Sequence, residues 1–467
     1  MRAVAALVVL ALSAVAATAA APAQSAACAT PDQVVAFQSA MPRAKAAYFR
    51  THRRTRQRDA FVARQAKQRD ALAKSALSCA SGSAPLPFFP QGGVVGRDLY
   101  LTNTVDLDPG GSVRDPWCGG RTYDGHTGED VVIRSFREQR IGVPVFAALD
   151  GQVREVQEGN KDTNYGDQTL PWDNHVIVDA GHGQLQVYGH LRRGSATVKR
   201  GDWVVAGQQL GLTGSSGNSS WPHLHFTTMR DFAPVDPWPG PCGAAASGWT
   251  VDAPVDTELY VRDFTFSRTA FTEHLDVPWD DVQRTGTFVA GRRDVHFRVE
   301  LGNAASISAV RVRFVRPDGS IAVDDSPGVT FRAWRQTWGT WRYALDLSPG
   351  RWRLVVDFDG RMLVDAPFDV VRSEAQVANR PPNAVTATVT RVAGVALCTV
   401  AQDLVREDPD YDIVRYRYVW TSGGRVVRAV TAAGLRDALP RTAPPDATCS
   451  VTPGDGRLTG PTVRATG

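Results

Sequence analysis

Beyond its first twenty residues this 467-residue chain has no apolar run approaching the roughly 20 residues that a transmembrane helix requires, which argues against a membrane span. None of its six cysteines stands in a CxxC pair, so a structural zinc site built on thiolates is not expected. Charge of neither sign dominates: 52 Lys and Arg face 48 Asp and Glu. The net +4 and the pI near 8.8 are a mild basic bias that names no partner, and no specific nucleic-acid partner is expected. The chain also lacks the low hydrophobicity of a disordered protein, since 43% hydrophobic and 21% charged residues are the proportions of a soluble globular one. At roughly 100 to 200 residues per domain, two to four domains are expected.

Arg2 precedes an apolar, alanine-rich run from Ala3 to Ala17, and Ala17, Thr18 and Ala19 form a small-residue cleavage site. This reads as a signal peptide within a processing region over 1–26, with the mature protein secreted to an extracellular or periplasmic space. A lipid anchor on Cys28 is the alternative, although Ser25 stands where a lipobox has Leu. Cysteines at 28, 79, 118, 242, 398 and 449 suit an oxidising compartment. The domain reading below pairs them in order, Cys28 with Cys79, Cys118 with Cys242, and Cys398 with Cys449.

Residues 27–80 are rich in Ala, Arg, Lys and Gln, with Val62, Ala66, Ala73, Ala76 and Leu77 at helical spacing, which predicts a basic helical segment. Its arginines, among them Arg50, Arg53 and Arg54, present either a surface for anionic polymers or a solvated helix face. Ser81 to Pro90 reads as a linker. From Val143 onward short apolar runs alternate with Gly, Asp and Asn, the rhythm of an all-β domain with tight turns, which is assigned 81–250 with its core at 119–230. Segments such as VHFRVEL, VRVRFV and WRLVVDF predict an immunoglobulin-like β-sandwich over 251–375. A Pro-bearing linker, Asn379 to Asn383, leads to a second small Ig-like unit within 376–467. The fold class is therefore mainly β. Asp408, Asp410 and Asp412 admit a Ca2+ site or a solvated turn, and three spaced acids fall short of the six or more oxygens Ca2+ takes.

Five residues carry the chemistry. His126 and Asp130 stand in GHTGED, where Gly125 and Gly128 favour a turn; His190 ends an apolar run in VYGHL; His223 and His225 alternate in PHLHF. On a strand, residues two apart share a face, so His223 and His225 point to one side and Leu224 to the other. A zinc hydrolase needs three nitrogen or oxygen ligands and an open position for water, together with groups that move a proton and stabilise an oxyanion. His175 and His182 lie at a strand start and in a turn and are left out of the site. Tyr165, Trp172 and Trp221 either line a substrate groove or pack.

These motifs resemble those of the M23 (lysostaphin- and LytM-like) peptidases: HTGED matches HxGxD, and VYGHL followed by PHLHF matches the paired His motifs. The intervening strands PVFAALDGQV, NHVIVDAGHGQLQVYGHL and VKRGDWVVAGQQLGLTGSSGNSSWPHLHF agree as well. The resemblance implies a LytM-like antiparallel β catalytic domain that hydrolyses peptide bonds of bacterial peptidoglycan or another extracellular peptide. It further implies one Zn2+ held by His126, Asp130 and His225, with His223 as general base and His190 as oxyanion stabiliser. Two departures stand out, a longer segment after Asp130 (VVIRSFREQRI) and Thr227 where many members carry Glu. Neither falls on a ligand position, while the insertion is expected to reshape the cleft. The stretch from Phe88 to Trp117 is expected to lie across the cleft, and the helical segment to be partly inhibitory. A catalytically silent LytM-like regulator of another wall hydrolase and a wall-binding or adhesion protein remain the alternatives.

Overall fold

The computed structural model describes residues 85–166, 173–181, 183–230, 233–244, 247–251, 258–271, 283–304, 307–328 and 336–467. The signal peptide, the basic helical segment, the Cys28–Cys79 pair, Trp172 and His182 lie outside them. Among the described residues no helix is long and apolar enough to cross a membrane.

The apolar runs before residue 250 become strands of two antiparallel sheets. In chain order the elements are β1 (Tyr100–Asn103), β2 (Glu129–Val132), α1 (Phe136–Ile141), β3 (Pro144–Phe146), β4 (Gly151–Gln157), β5 (His175–Gly181), β6 (Gln184–Gly189), β7 (Trp203–Val204), β8 (Gln209–Leu212), β9 (His223–Arg230) and β10 (Ala233–Val235). The sheet runs β1-β2-β9-β6-β5-β4-β7 with β10 on β9, and β3 pairs with β8 in a second layer. Val131, Val153, Val176, Val178, Tyr188, Leu224 and Phe226 project from the large sheet into a core shared with Val145 and Leu210 of that second layer.

The stretch from Phe88 to Trp117 does not behave as a loop laid over the cleft. Phe88 and Phe89 are buried in the core, and β1 is an edge strand paired with β2, because apolar residues here gain more by burial than by exposure at a rim. Cys118 joins Cys242 and Cys398 joins Cys449.

The middle segment is a two-sheet sandwich. Its strands are β11 (Tyr260–Ser267), β12 (Thr287–Val289), β13 (Gly291–Gly302), β14 (Val310–Val315), β15 (Ile321–Asp325), β16 (Gln336–Leu347), β17 (Gly350–Phe358) and β18 (Arg361–Val371). Sheets β11-β13-β16 and β12-β18-β17-β14-β15 enclose Phe266, Phe297, Phe314, Trp352 and Phe368. The last segment comprises β19 (Thr386–Val392), β20 (Val395–Ala401), β21 (Arg415–Ser422), β22 (Arg425–Ala432), β23 (Arg436–Leu439), β24 (Thr448–Gly454) and β25 (Val463–Arg464). Its sheets β19-β20-β23 and β22-β21-β24-β25 pack around Tyr416, Tyr418 and Trp420.

The three cores touch. Val392, Val395, Leu397 and Ala438 of the last segment form one apolar cluster with Phe88, Phe146 and Ala206 of the first. Arg121 Nη2 donates to Asn303 Oδ1 at 2.9 Å, tying the first segment to the middle one. The Asn379 to Asn383 stretch is a pinned connection, since Arg380 pairs with Asp410 at 2.8 Å and with Asp369 at 2.5 Å. That pairing also spends Asp410, while Asp408 Oδ1 accepts the Asp410 backbone N–H at 2.7 Å; the three acids build a turn.

Candidate metal centre and catalytic cleft

Strand β9 organises the site. Leu224 and Phe226 are fully buried on its core face, which turns His223 and His225 to the opposite face. The register then sets their neighbours: Asp130 of β2 lies opposite His225 on one side, and Gly189 of β6 lies opposite it on the other, so that His190 follows directly beside the site. Gly128 is required by close approach, because a Cβ there would sit 2.6 Å from the Phe226 carbonyl oxygen.

His126, Asp130 and His225 offer ligand atoms that all lie within 4.8 Å of one another. His126 Nδ1 donates to the Thr104 carbonyl at 2.7 Å, which leaves Nε2 as the free acceptor, 3.1 Å from Asp130 Oδ2 and 3.2 Å from His225 Nδ1. His225 Nδ1 lies 2.8 Å from Asp130 Oδ1, while its Nε2 meets Thr227 Oγ1 at 3.0 Å. Burial pushes the Asp130 carboxyl up, but the interactions with His126 and His223 outweigh it and hold the group well below the carboxylate range. Two nitrogens and one oxygen converging from two strands and a turn fit a zinc ion with one position open.

The other two histidines stand beside this group. His190 has a left-handed backbone, φ 58°, and its Nδ1 donates to the Ser216 carbonyl at 2.6 Å. His223 Nδ1 donates to the Trp221 carbonyl at 2.7 Å, and its Nε2 lies 3.5 Å from Asp130 Oδ1. The rings of His190 and His223 are 4.4 Å apart between centroids. Both therefore commit Nδ1–H to a carbonyl and carry a lone pair on Nε2 while neutral. Burial first, then the charge of His223, pulls the His190 pKa down to about 4.

All five expected residues converge. His175 stands outside the group, between Asp173 at 3.1 Å and Glu155 at 3.4 Å. Trp221 and Tyr165 pack against each other, rings 5.9 Å apart, and Phe136 backs Trp221 at 6.3 Å. The insertion after Asp130 is α1 and its approach; it supports this aromatic wall and contacts the last β segment. Several partners escaped the sequence reading. Asn103 Nδ2 donates to Asp130 Oδ2 at 3.0 Å, and Tyr123, half exposed, stacks 4.5 Å from His126. Thr227, which is no ligand, holds a ligand. Backbone carbonyls at 104, 216 and 221 leave no signal in side-chain motifs, but Thr227 stands two residues after His225 on the same face and was legible in principle.

The sequence model of peptidase family M23 matches residues 125–237. Lysostaphin of Staphylococcus simulans is 31% identical over 173 residues, 34% of this chain and 33% of lysostaphin. The glycyl-glycine endopeptidase ALE-1 of Staphylococcus capitis is 40% identical over 92 residues, 20% of this chain and 22% of that protein. The murein hydrolase activator EnvC of Escherichia coli is 41% identical over 64 residues, 14% of this chain and 15% of EnvC. The similarity thus spans 33% or less of the length of these relatives.

Proposed function

Through residues 125–237 this chain belongs to peptidase family M23, and on that premise we propose that it is a secreted zinc metalloendopeptidase hydrolysing peptide cross-links of bacterial peptidoglycan. The observation that carries the proposal is the complete His126–Asp130–His225 donor set with His190 and His223 against it. The similarity to EnvC supports a second reading, a silent activator of another hydrolase; a chain that keeps every ligand favours the enzyme. Two disulfides among the described residues support export. The domain division at 81–250, 251–375 and 376–467, with the last two units Ig-like, belongs to the same proposal.

Zinc held by His126, Asp130 and His225 would supply the Lewis acidity that makes water nucleophilic near neutral pH. The protein's own groups do the rest. His223, its Nε2 lone pair facing the cleft, takes the proton of the attacking water as general base and returns it to the leaving amine. His190 stabilises the oxyanion. Its resting form is neutral with a lone pair on Nε2, so negative charge developing there must raise its proton affinity and Nε2 must take up a proton from solvent before it can donate.

Alanine variants test the assignment. His126→Ala, Asp130→Ala and His225→Ala should lose zinc and hydrolysis together. His190→Ala and His223→Ala should keep near-stoichiometric zinc while hydrolysis falls about 100-fold or more. Digestion of purified peptidoglycan of several chemotypes, with mass spectrometry of new amino termini, identifies the bond; wild type that binds no zinc and releases no fragment leaves the activator reading in place.

A further inference from the structure

We propose that Asp173 is a positioning residue for His190, its carboxylate holding the His190 backbone in the left-handed conformation that aims the imidazole at the metal group. The inference rests on the reading of His190 as part of the cleft's machinery and adds the residue that keeps it there.

The need for such a residue comes from the backbone. A non-glycine residue at φ 58° stores strain of about 1 to 2 kcal/mol, which surrounding contacts must hold in place. The contacts come from two residues just before β5. Asp173 Oδ2 accepts the His190 backbone N–H at 3.3 Å. The Asn174 carbonyl accepts the Leu191 N–H at 2.8 Å, and Asn174 Nδ2 donates to the Leu191 carbonyl at 3.1 Å. Asn174 N donates to Ser216 Oγ at 2.8 Å, and the Ser216 carbonyl is the acceptor for His190 Nδ1. The pair at 173 and 174 thus grips the main chain of 190 and 191 and the carbonyl that sets the His190 tautomer.

The carboxylate itself is fixed on its other side. Asp173 Oδ1 accepts from His175 Nδ1 at 3.1 Å, and His175 Nε2 faces Glu155 Oε1 at 3.4 Å, so a line of alternating charge ends behind His190. Room for it is built in: a Cβ at Gly189 would fall 3.0 Å from Asp173 Oδ2, and one at Gly217 would fall 2.9 Å from Asp173 Cβ. One glycine against the carboxylate and another against the backbone and Cβ of the same residue, next to a strained histidine, mark a fitted seat.

The test uses the zinc-loaded full chain, a soluble cross-linked muropeptide as substrate, and histidine-selective NMR in which His190→Ala assigns the His190 signals. Asp173→Ala should lower kcat 10- to 100-fold with KM and zinc stoichiometry unchanged, and should shift the His190 imidazole nitrogens away from a single Nδ1–H tautomer. Asp173→Asn, which keeps an acceptor for the His190 N–H, should restore kcat to within about threefold of wild type and return the His190 signals. Wild-type turnover in Asp173→Ala, or lost turnover with unshifted His190 signals, overturns the proposal. If Asp173→Ala does not fold, Asp173→Asn decides: wild-type His190 signals with near wild-type kcat support it, and displaced signals with undiminished kcat overturn it. If wild type cleaves nothing, the NMR arm still decides whether Asp173 positions His190, and the enzyme reading alone fails.

Discussion

Arg134 Nη1 lies 2.8 Å from Glu407 Oε1, an ion pair buried on both sides that joins the approach to α1 with the last β segment. Arg134 Nε also binds Glu138 Oε1 at 2.6 Å, and Tyr416 donates to Glu407 Oε2 at 3.0 Å. The two acids outweigh the burial that disfavours the guanidinium and keep it charged. An apolar residue at 407 would leave Arg134 with one of its two bonded carboxylates. Glu407→Leu should therefore cost about 3 to 5 kcal/mol, the scale for stranding a buried charge. Denaturant unfolding measures it, and a loss under about 1 kcal/mol would mean that the two segments do not depend on this pair.

The line Glu155–His175–Asp173 sets a pH dependence. Desolvation opposes the imidazolium of His175, but the charge and hydrogen bond of Asp173, with Glu155 beyond, raise its pKa from 6.5 to about 10. Folded protein then binds this proton more tightly than unfolded chain. The stabilisation is complete below pH 6.5 and is lost as pH rises through about 10. Unfolding free energy should fall across that window by at most a few kcal/mol, at about 1.4 per pKa unit, and His175→Gln should flatten the slope. An unchanged slope in the variant would show that other groups set it.

Residues that hold the ligands should tune the metal. Asn103 fixes Asp130 Oδ2, and Thr227 fixes the His225 ring through Nε2, so each orients one donor without touching the ion's position. Asn103→Ala and Thr227→Val should each weaken zinc binding by about 10- to 100-fold with the fold intact. Competition titration against a chromogenic chelator reads the affinity; values equal to wild type would mean that neither residue holds its ligand in place.

The legible part of this molecule was the part written in side chains. Alternation in PHLHF placed His223 and His225 on one face, and apolar spacing marked β3, β5, β6, β7 and β8. Register across β2, β9 and β6 brought Asp130 and His190 to that face, and no local pattern states register. The insertion after Asp130 was read as a change to the cleft, yet its Arg134 is spent on Glu407, a partner 273 residues away. Asp410 offered oxygens for a cation in sequence and gave them to Arg380 in the fold. Phe88 and Phe89, taken as part of a covering loop, are core because burial of two aromatic rings outweighs the exposure of a Gly-rich neighbourhood.

Trp221 separates packing from substrate contact. Its indole N–H donates to the Ile133 carbonyl at 2.9 Å, the Ile133 N–H donates to Pro222 at 3.1 Å, and its own carbonyl receives His223 Nδ1. The ring lies between Phe136 and Tyr165. These contacts make Trp221 a clamp that joins the insertion to the His223 tautomer. Trp221→Phe keeps a ring but loses the N–H bond and should cost about 1 kcal/mol, with turnover close to wild type. Trp221→Ala removes the ring from a half-buried place and should cost about 2 to 3 kcal/mol. Its kcat should fall about tenfold as the carbonyl facing His223 loosens, while KM stays within about twofold. Denaturation and steady-state cleavage of a soluble muropeptide give all three numbers. A KM raised tenfold with kcat intact would instead make Trp221 a substrate contact, and the clamp would reduce to ordinary packing.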